Sequence, residues 1–147
     1  MTVDEKNDLF YVCALIEFIA RETTNKRGDI VRAIGERGLR KQLRDAGVNH
    51  CLSFEQVSDE VIEAYDIKNG NFDTISDCKY SVPSFLDIGK LYSIMIIDCA
   101  EPGNEVEELI QIFQSFISDE ISDFSTDLYY QNPDYLEWSY REGRLLE

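Results

Sequence analysis

The chain has 147 residues, of which 44% are apolar, and it carries a formal net charge of -15 at pH 7. That length is sufficient for one domain or two small lobes with a hydrophobic core, and the content of 8 Phe, 8 Tyr and 1 Trp excludes a wholly disordered chain. No apolar run approaches the ~18 residues of a membrane-spanning helix, so we expect no transmembrane segment.

The acidic residues are concentrated in the last two thirds of the chain. Residues 1–50 contain 9 Lys or Arg and 8 Asp or Glu, whereas residues 51–147 contain 5 and 21. A region of that charge repels nucleic acid and attracts basic proteins or cations. The sequence therefore favours a basic protein partner and disfavours direct nucleic-acid binding.

The cysteines and the N-terminus indicate a cellular location. Four cysteines lie far apart in the chain, without a CxxC pair, and no apolar leader follows the first charged residues. Both features are typical of a reduced, cytoplasmic protein, and we expect that location here.

The first predicted helix spans about residues 4–22. Thr2 and Glu5 before it have the spacing of a capping box, and apolar residues then follow at helical intervals. Apolar side chains also occupy much of the opposite face of this helix. We therefore expect the helix to be buried on more than one side, either at the centre of the fold or against a partner.

Residues 26–51 form the only basic island of the chain. Two short helices are predicted there, one over residues 28–34 and one over residues 39–46, the second ending at Gly47 as a left-handed C-cap. Their arrangement resembles a helix-turn-helix. The side chains either contact phosphate or are solvated and partly neutralised by the acidic remainder of the chain. The predicted basic patch consists of Arg37, Arg40, Lys41 and Arg44.

A fourth helix is predicted from the N-cap Ser53 to about Asp66. Residues 67–81 then break every periodicity, which favours a linker. We predict an N-terminal four-helix lobe over residues 1–66 and a C-terminal acidic helical lobe over residues 82–147. The two lobes pack either separately or as one domain.

The C-terminal lobe is predicted to begin with a fifth helix, capped by Ser84 and ending before the turn at residues 102–104. A sixth helix is predicted over about residues 105–121, with its apolar side chains in one stripe. Together with a helical tail, the elements predict an all-α, compact bundle of about six or seven helices.

The tail combines acids with six aromatic residues between positions 123 and 140. Aromatic anchors among acids are typical of a surface that binds a basic partner, and the alternative is that they pack a terminal helix onto the core. The residues predicted to contact the partner are Phe124, Tyr129, Tyr130, Asp134, Tyr135 and Trp138.

No catalytic or metal-binding motif is recognisable. The sequence lacks GxSxG, HExxH and a phosphate-binding glycine loop, and a single histidine excludes a multi-histidine metal site. His50 and Cys51 are adjacent, so their side chains point apart on a helix or a strand. We predict no catalytic residue, no metal site, no cofactor and no enzymatic activity.

The N-terminal third resembles a family of small uncharacterised bacterial helical proteins. The resemblance lies in the order of IEFIA, AIGERG, LRKQLRDAG, NHCLS and EQVSDEVIEAYDI across residues 9–66. Genes of that family often lie beside genes of ADP-ribosyltransferase-like toxins. The resemblance implies a non-enzymatic, antitoxin-like accessory role, and it brings no catalytic residues with it. Residues 67–147 lie outside the resemblance.

Two functions from different classes follow. The first is an acidic interaction protein, antitoxin-like, that binds a basic protein partner such as a toxin encoded next to it through the acidic and aromatic C-terminal region. The alternative is a nucleic-acid-related protein. It would be either a DNA mimic that occupies a DNA-binding protein or a weak helix-turn-helix-like DNA binder that uses the basic patch.

Overall fold

A computed structural model describes residues 1–146 as a bundle of α-helices without a strand in that range, which confirms the all-α prediction. None of the helices in residues 1–146 combines the length and the apolar character needed to cross a membrane. A short 3-10 turn at Leu128–Tyr130 precedes the last helix. The helices are α1 (Val3–Thr23), α2 (Arg27–Asn49), α3 (Phe54–Ala64), α4 (Phe85–Cys99), α5 (Glu105–Phe113), α6 (Phe116–Ile121) and α7 (Pro133–Glu142).

Helix α1 is the centre of the bundle. It begins at the predicted capping box, in which the Thr2 and Glu5 side chains each accept a hydrogen bond from the other residue's backbone N–H. It packs most extensively against α4, then against α2, and also contacts α3. Residues 11–17 of α1 are buried without interruption, so the helix is enclosed on several sides, as its continuous apolar sequence predicts.

The contact between α1 and α4 is close because both helices present small residues there. A Cβ atom added to Gly89 of α4 would lie 2.7 Å from the Cα atom of Ala14. Contacts that short do not occur between well-packed carbon atoms, so only glycine fits at this position.

Helix α2 contains the two helical segments predicted in the basic island, joined at Gly35. The helix is interrupted only at Gly35, which has φ 73° and ψ 170°, a conformation that glycine adopts without steric penalty. Gly47, the predicted C-cap, lies inside the helix, which continues to Asn49 and is capped by His50. The prediction of a C-cap at Gly47 is therefore wrong, whereas the island is divided into two helical segments as predicted, by a kink at Gly35 in place of a turn over residues 35–38.

Residues 67–81 are irregular, as predicted, and they are attached to the connection between α1 and α2. The backbone N–H groups of Gly70 and Phe72 each donate to a carbonyl oxygen at Thr23 and Thr24, both at 2.8 Å. Buried side chains from before and after this segment form one apolar cluster. The division of the chain into two lobes stays a prediction.

The predicted sixth helix is divided into α5 and α6. Ser115 between them is extended, with φ -85° and ψ 168°, and its hydroxyl group donates to the carbonyl oxygen of Ile112. A serine side chain that bonds to the local backbone competes with the helical hydrogen bonds, which explains the break. Most of the predicted apolar stripe is nevertheless buried on both helices.

Candidate functional site

Two of the six aromatic or acidic residues predicted to contact a partner are held by the protein itself. Phe124 is only 2% exposed and belongs to the core. Tyr135 is partly buried, and its hydroxyl group donates to the carbonyl oxygen of Leu146 at 2.6 Å. These two side chains support the packing explanation of the aromatic tail.

Tyr130 and its neighbours form an exposed aromatic surface. The side chain of Tyr130 is 75% exposed and that of Tyr80 is 66% exposed. The ring of Tyr129 lies 4.3 Å from that of Tyr130, and the Tyr129 hydroxyl group donates to the carbonyl oxygen of Ser81 at 3.0 Å. We call Tyr80, Tyr129 and Tyr130 the tyrosine surface.

Two grooves flank the tyrosine surface. One groove has a volume of about 340 Å³, and apolar side chains of residues 82–91 line it together with Asp87. The other has a volume of about 590 Å³ and contains Tyr80 and Asp127. Tyr129 and Tyr130 line both grooves, so they form the ridge between them.

Asp134 and Trp138 lie on α7 and line neither groove. Trp138 is 54% exposed, and the guanidinium group of Arg141 lies 5.3 Å from the centre of its ring. The six predicted contact residues therefore divide between the core, the tyrosine surface and the exposed face of α7.

The predicted basic patch is partly neutralised by ion pairs. Arg40 Nη2 lies 2.8 Å from Glu36 Oε1 and 2.6 Å from Glu107 Oε1, which links α2 to α5. Lys41 Nζ lies 2.7 Å from Asp45 Oδ2. The other two members, Arg37 and Arg44, are exposed and form no ion pair with any residue of the range 1–146. Two of the four residues of the patch are thus paired with acidic residues of the protein itself.

The most buried charges of the fold belong to Glu17 and Arg27, each 3% exposed. Their side chains form an ion pair between α1 and α2, and Arg21 Nε donates to the second oxygen of Glu17 at 2.8 Å. Arg27 Nη1 also donates to Tyr92 Oη at 3.1 Å. It donates as well to the Ser118 carbonyl oxygen and to Ser122 Oγ. Burial opposes the charged form of Arg27, but the Glu17 carboxylate raises its pKa.

The sequence contains one signal for this pair. Glu17 is the only charged residue in the apolar stretch 9–20, and a buried acid requires a basic partner. The partner itself was not identifiable, because several basic residues follow within the next turns.

A cavity of about 290 Å³ lies beside this ion pair, under residues 72–76. Its wall carries two basic side chains, Arg21 and Arg27, and two acidic ones, Glu17 and Asp73. Because the charges balance and Glu17 already binds both arginines, the wall favours no ligand of either sign. The cavity is explained by the packing of the irregular segment.

Three carboxylates that sequence reasoning did not connect meet between α4 and α7. Asp98, Asp134 and Glu137 each place a carboxylate oxygen within 4.8 Å of the others. Glu137 is only 5% exposed, and burial, followed by the proximity of Asp98, raises its pKa to about 8. We call these three residues the carboxylate cluster. With 29 acidic residues in the chain, their meeting was not recognisable from spacing.

Replacing Glu137 by Gln is expected to flatten the pH dependence of stability. The folded-state pKa is about 8 and the ordinary value is 4.5, so the folded chain binds more protons than the unfolded chain between these values. Stability is therefore lost as the pH rises through this window. Glu137→Gln should raise stability at pH 8 by about 1–3 kcal/mol and change it little at pH 4.5.

Thermal unfolding at both pH values, in buffer with a chelator, measures this effect. Glu120→Gln, an exposed substitution on α6, is the matched control. A Glu137→Gln variant that gains the same stability at both pH values would contradict the expectation.

The resemblance of residues 9–66 to a bacterial helical family, and the link to toxin genes that it implies, stay predictions. Comparison of the chain with protein families, curated proteins and solved structures found no match.

Proposed function

We propose that the protein is a non-enzymatic interaction protein that binds a basic segment of a protein partner at the tyrosine surface. The observation that carries this proposal is Tyr130, which is 75% exposed on the ridge between two grooves. Exposed tyrosines are typical anchors of protein interfaces, because they bury a large apolar area and lose little conformational freedom on binding.

The grooves suit the side chains of Lys and Arg. Val82, Ile88 and Leu91 provide an apolar wall for an aliphatic stem, and Asp87 stands in the same groove to pair with its charged head. Asp127 lines the second groove and is placed to pair with a charged head group there. The tyrosine faces offer cation–π contacts to either head group.

The charge of the whole chain supports the same kind of partner. The 21 acidic residues after position 50 produce a field that accelerates association with a basic protein, and this acceleration decreases with salt. All four cysteines are unpaired thiols, which supports the expected cytoplasmic location. The antitoxin-like form of the proposal, in which the partner is a toxin encoded next to this chain, depends in addition on the family resemblance.

Tyr130→Ala is expected to weaken partner binding at least tenfold, the equivalent of about 1.4 kcal/mol. The partner is first captured from cells that express the protein with its genomic neighbours, at low salt. The dissociation constant is then measured by calorimetry for the wild type and the variant. Val48→Ala, at an equally exposed apolar residue of α2, is the matched control and should bind normally.

Asp127→Asn separates the electrostatic part of the mechanism from the aromatic part. It should slow association and reduce its salt dependence, with a smaller effect on dissociation. Capture of no basic partner would contradict the proposal, as would a Tyr130→Ala variant that binds like the wild type. Loss of binding in Trp138→Ala alone would assign the contact to α7. If the partner is a DNA-binding protein that DNA displaces, the protein acts as a DNA mimic.

A further inference from the structure

The carboxylate cluster brings three carboxyl groups together where two helices meet. Asp98 lies in the last turn of α4, and Asp134 and Glu137 lie one turn apart on one face of α7. Their closest carboxylate oxygens are all within 4.8 Å of one another. Like charges at this separation repel strongly, so the three carboxyl groups are stable together only with a proton or a cation among them.

None of the three carboxyl groups forms an ion pair with a basic side chain of residues 1–146. Glu137 is 95% buried, with a relative exposure of 5%, and its Oε1 atom accepts no hydrogen bond from any group in residues 1–146. Arg141 lies near the cluster, but its Nη2 atom donates to the backbone carbonyl oxygen of Asp98 at 3.2 Å. Its guanidinium group also lies over the Trp138 ring, and it forms no ion pair with the cluster. A buried carboxylate without a donor is costly in a folded protein.

We propose that the carboxylate cluster binds a hard divalent cation of the calcium and magnesium class and thereby links α4 to α7. Such ions take oxygen ligands only, and all three side chains supply carboxylate oxygens. Oxygens on opposite sides of a calcium ion lie about 4.6–5.2 Å apart, so oxygens within 4.8 Å of one another can share one ion.

The exposure of the three residues fits the same ion. Asp98 and Asp134 are exposed, so water molecules have access to the remaining coordination positions, while Glu137 holds the buried side. This proposal replaces the sequence-based expectation of no metal site, which considered only motifs with neighbouring ligands. It is independent of the tyrosine surface, because none of the three residues lines the grooves there.

Binding is expected to stabilise the folded chain, because the three carboxylates meet only after folding. The full chain is freed of metal with a chelator and titrated with calcium chloride or magnesium chloride to millimolar concentration. The temperature of unfolding should rise by about 4 °C or more with at least one of the two ions. Sodium chloride at equal ionic strength should not reproduce this rise.

The only tryptophan of the chain provides a second readout. Trp138 follows Glu137 directly, so its fluorescence should change as the ion binds and should give the dissociation constant. Asp134→Asn and Glu137→Gln should each weaken binding at least tenfold, while Asp59→Asn, at an exposed residue of α3, should leave it unchanged. Circular dichroism is to be used to check that each variant keeps its helices.

Each outcome of these titrations either supports or overturns the proposed cation site. Saturable binding that the two cluster variants weaken supports the proposal. A wild type without a saturable response to either ion overturns it, and so does a response that the Asp134→Asn variant retains in full.

Discussion

Replacing Glu17 by Ala is expected to destabilise the folded protein by about 3–5 kcal/mol. The substitution leaves Arg27, which is 3% exposed, without its counter-ion in the interior. Arg21 loses the same partner, although its second bond to the carbonyl oxygen of Pro83 remains. A loss of this size is a large fraction of the stability of an ordinary domain, so much of the chain should be unfolded at moderate temperature.

Urea unfolding followed by circular dichroism measures the change in free energy. Glu22→Ala removes an exposed acid from the same helix and should change stability by less than about 0.5 kcal/mol. The double variant Glu17→Leu with Arg27→Met should recover most of the loss, because a buried ion pair replaced by apolar side chains is often neutral. A loss below about 1 kcal/mol for Glu17→Ala would show that the pair is not a structural necessity.

Gly89→Ala is expected to have the second largest effect. The new methyl group would lie 2.7 Å from the backbone N and Cα atoms of Ala14, and backbone atoms cannot rotate away. Helices α1 and α4 would have to separate along their shared face, at a cost of about 1–3 kcal/mol. The same method measures this loss as a lower urea midpoint with an unchanged slope.

Gly47→Ala is the matched control for this substitution. Gly47 lies in α2, and a Cβ atom there meets no other atom within 4 Å. Alanine should therefore stabilise the helix by up to about 1 kcal/mol, because glycine is a poor helix former. If both variants lose equal stability, the close approach of α1 and α4 is not the cause of the loss in Gly89→Ala.

The features that the sequence predicted are those encoded by a few neighbouring residues. The capping serines Ser53 and Ser84 were identified correctly, because each accepts from a backbone N–H three residues further on. The buried centre of α1 followed from its continuous apolar run. The break of the basic island falls at Gly35, directly after the first segment predicted there, whereas the C-cap predicted at Gly47 is wrong, because several glycines in that stretch satisfy the same local pattern and only tertiary packing selects one.

Local sequence patterns do not predict which residues the charged groups of the interior contact. Arg27 donates to Ser122, which lies 95 positions later, and Asp98 meets Glu137 across two helices. Nothing in the spacing of acids and bases distinguishes these contacts from the many solvated charges. Exposure was equally hard to predict, since Phe124 and Tyr130 occur in the same aromatic segment but lie in the core and on the surface.

The contact between Ala14 and Gly89 joins two helices that are synthesised at different times. Helix α1 emerges from the ribosome about 75 residues before its main partner, an interval of roughly 4–15 s at ordinary translation rates. During that time its apolar side chains have only α2 and α3 to pack against. The nascent chain is therefore most vulnerable to misassociation, and most attractive to chaperones, in the interval before α4 arrives.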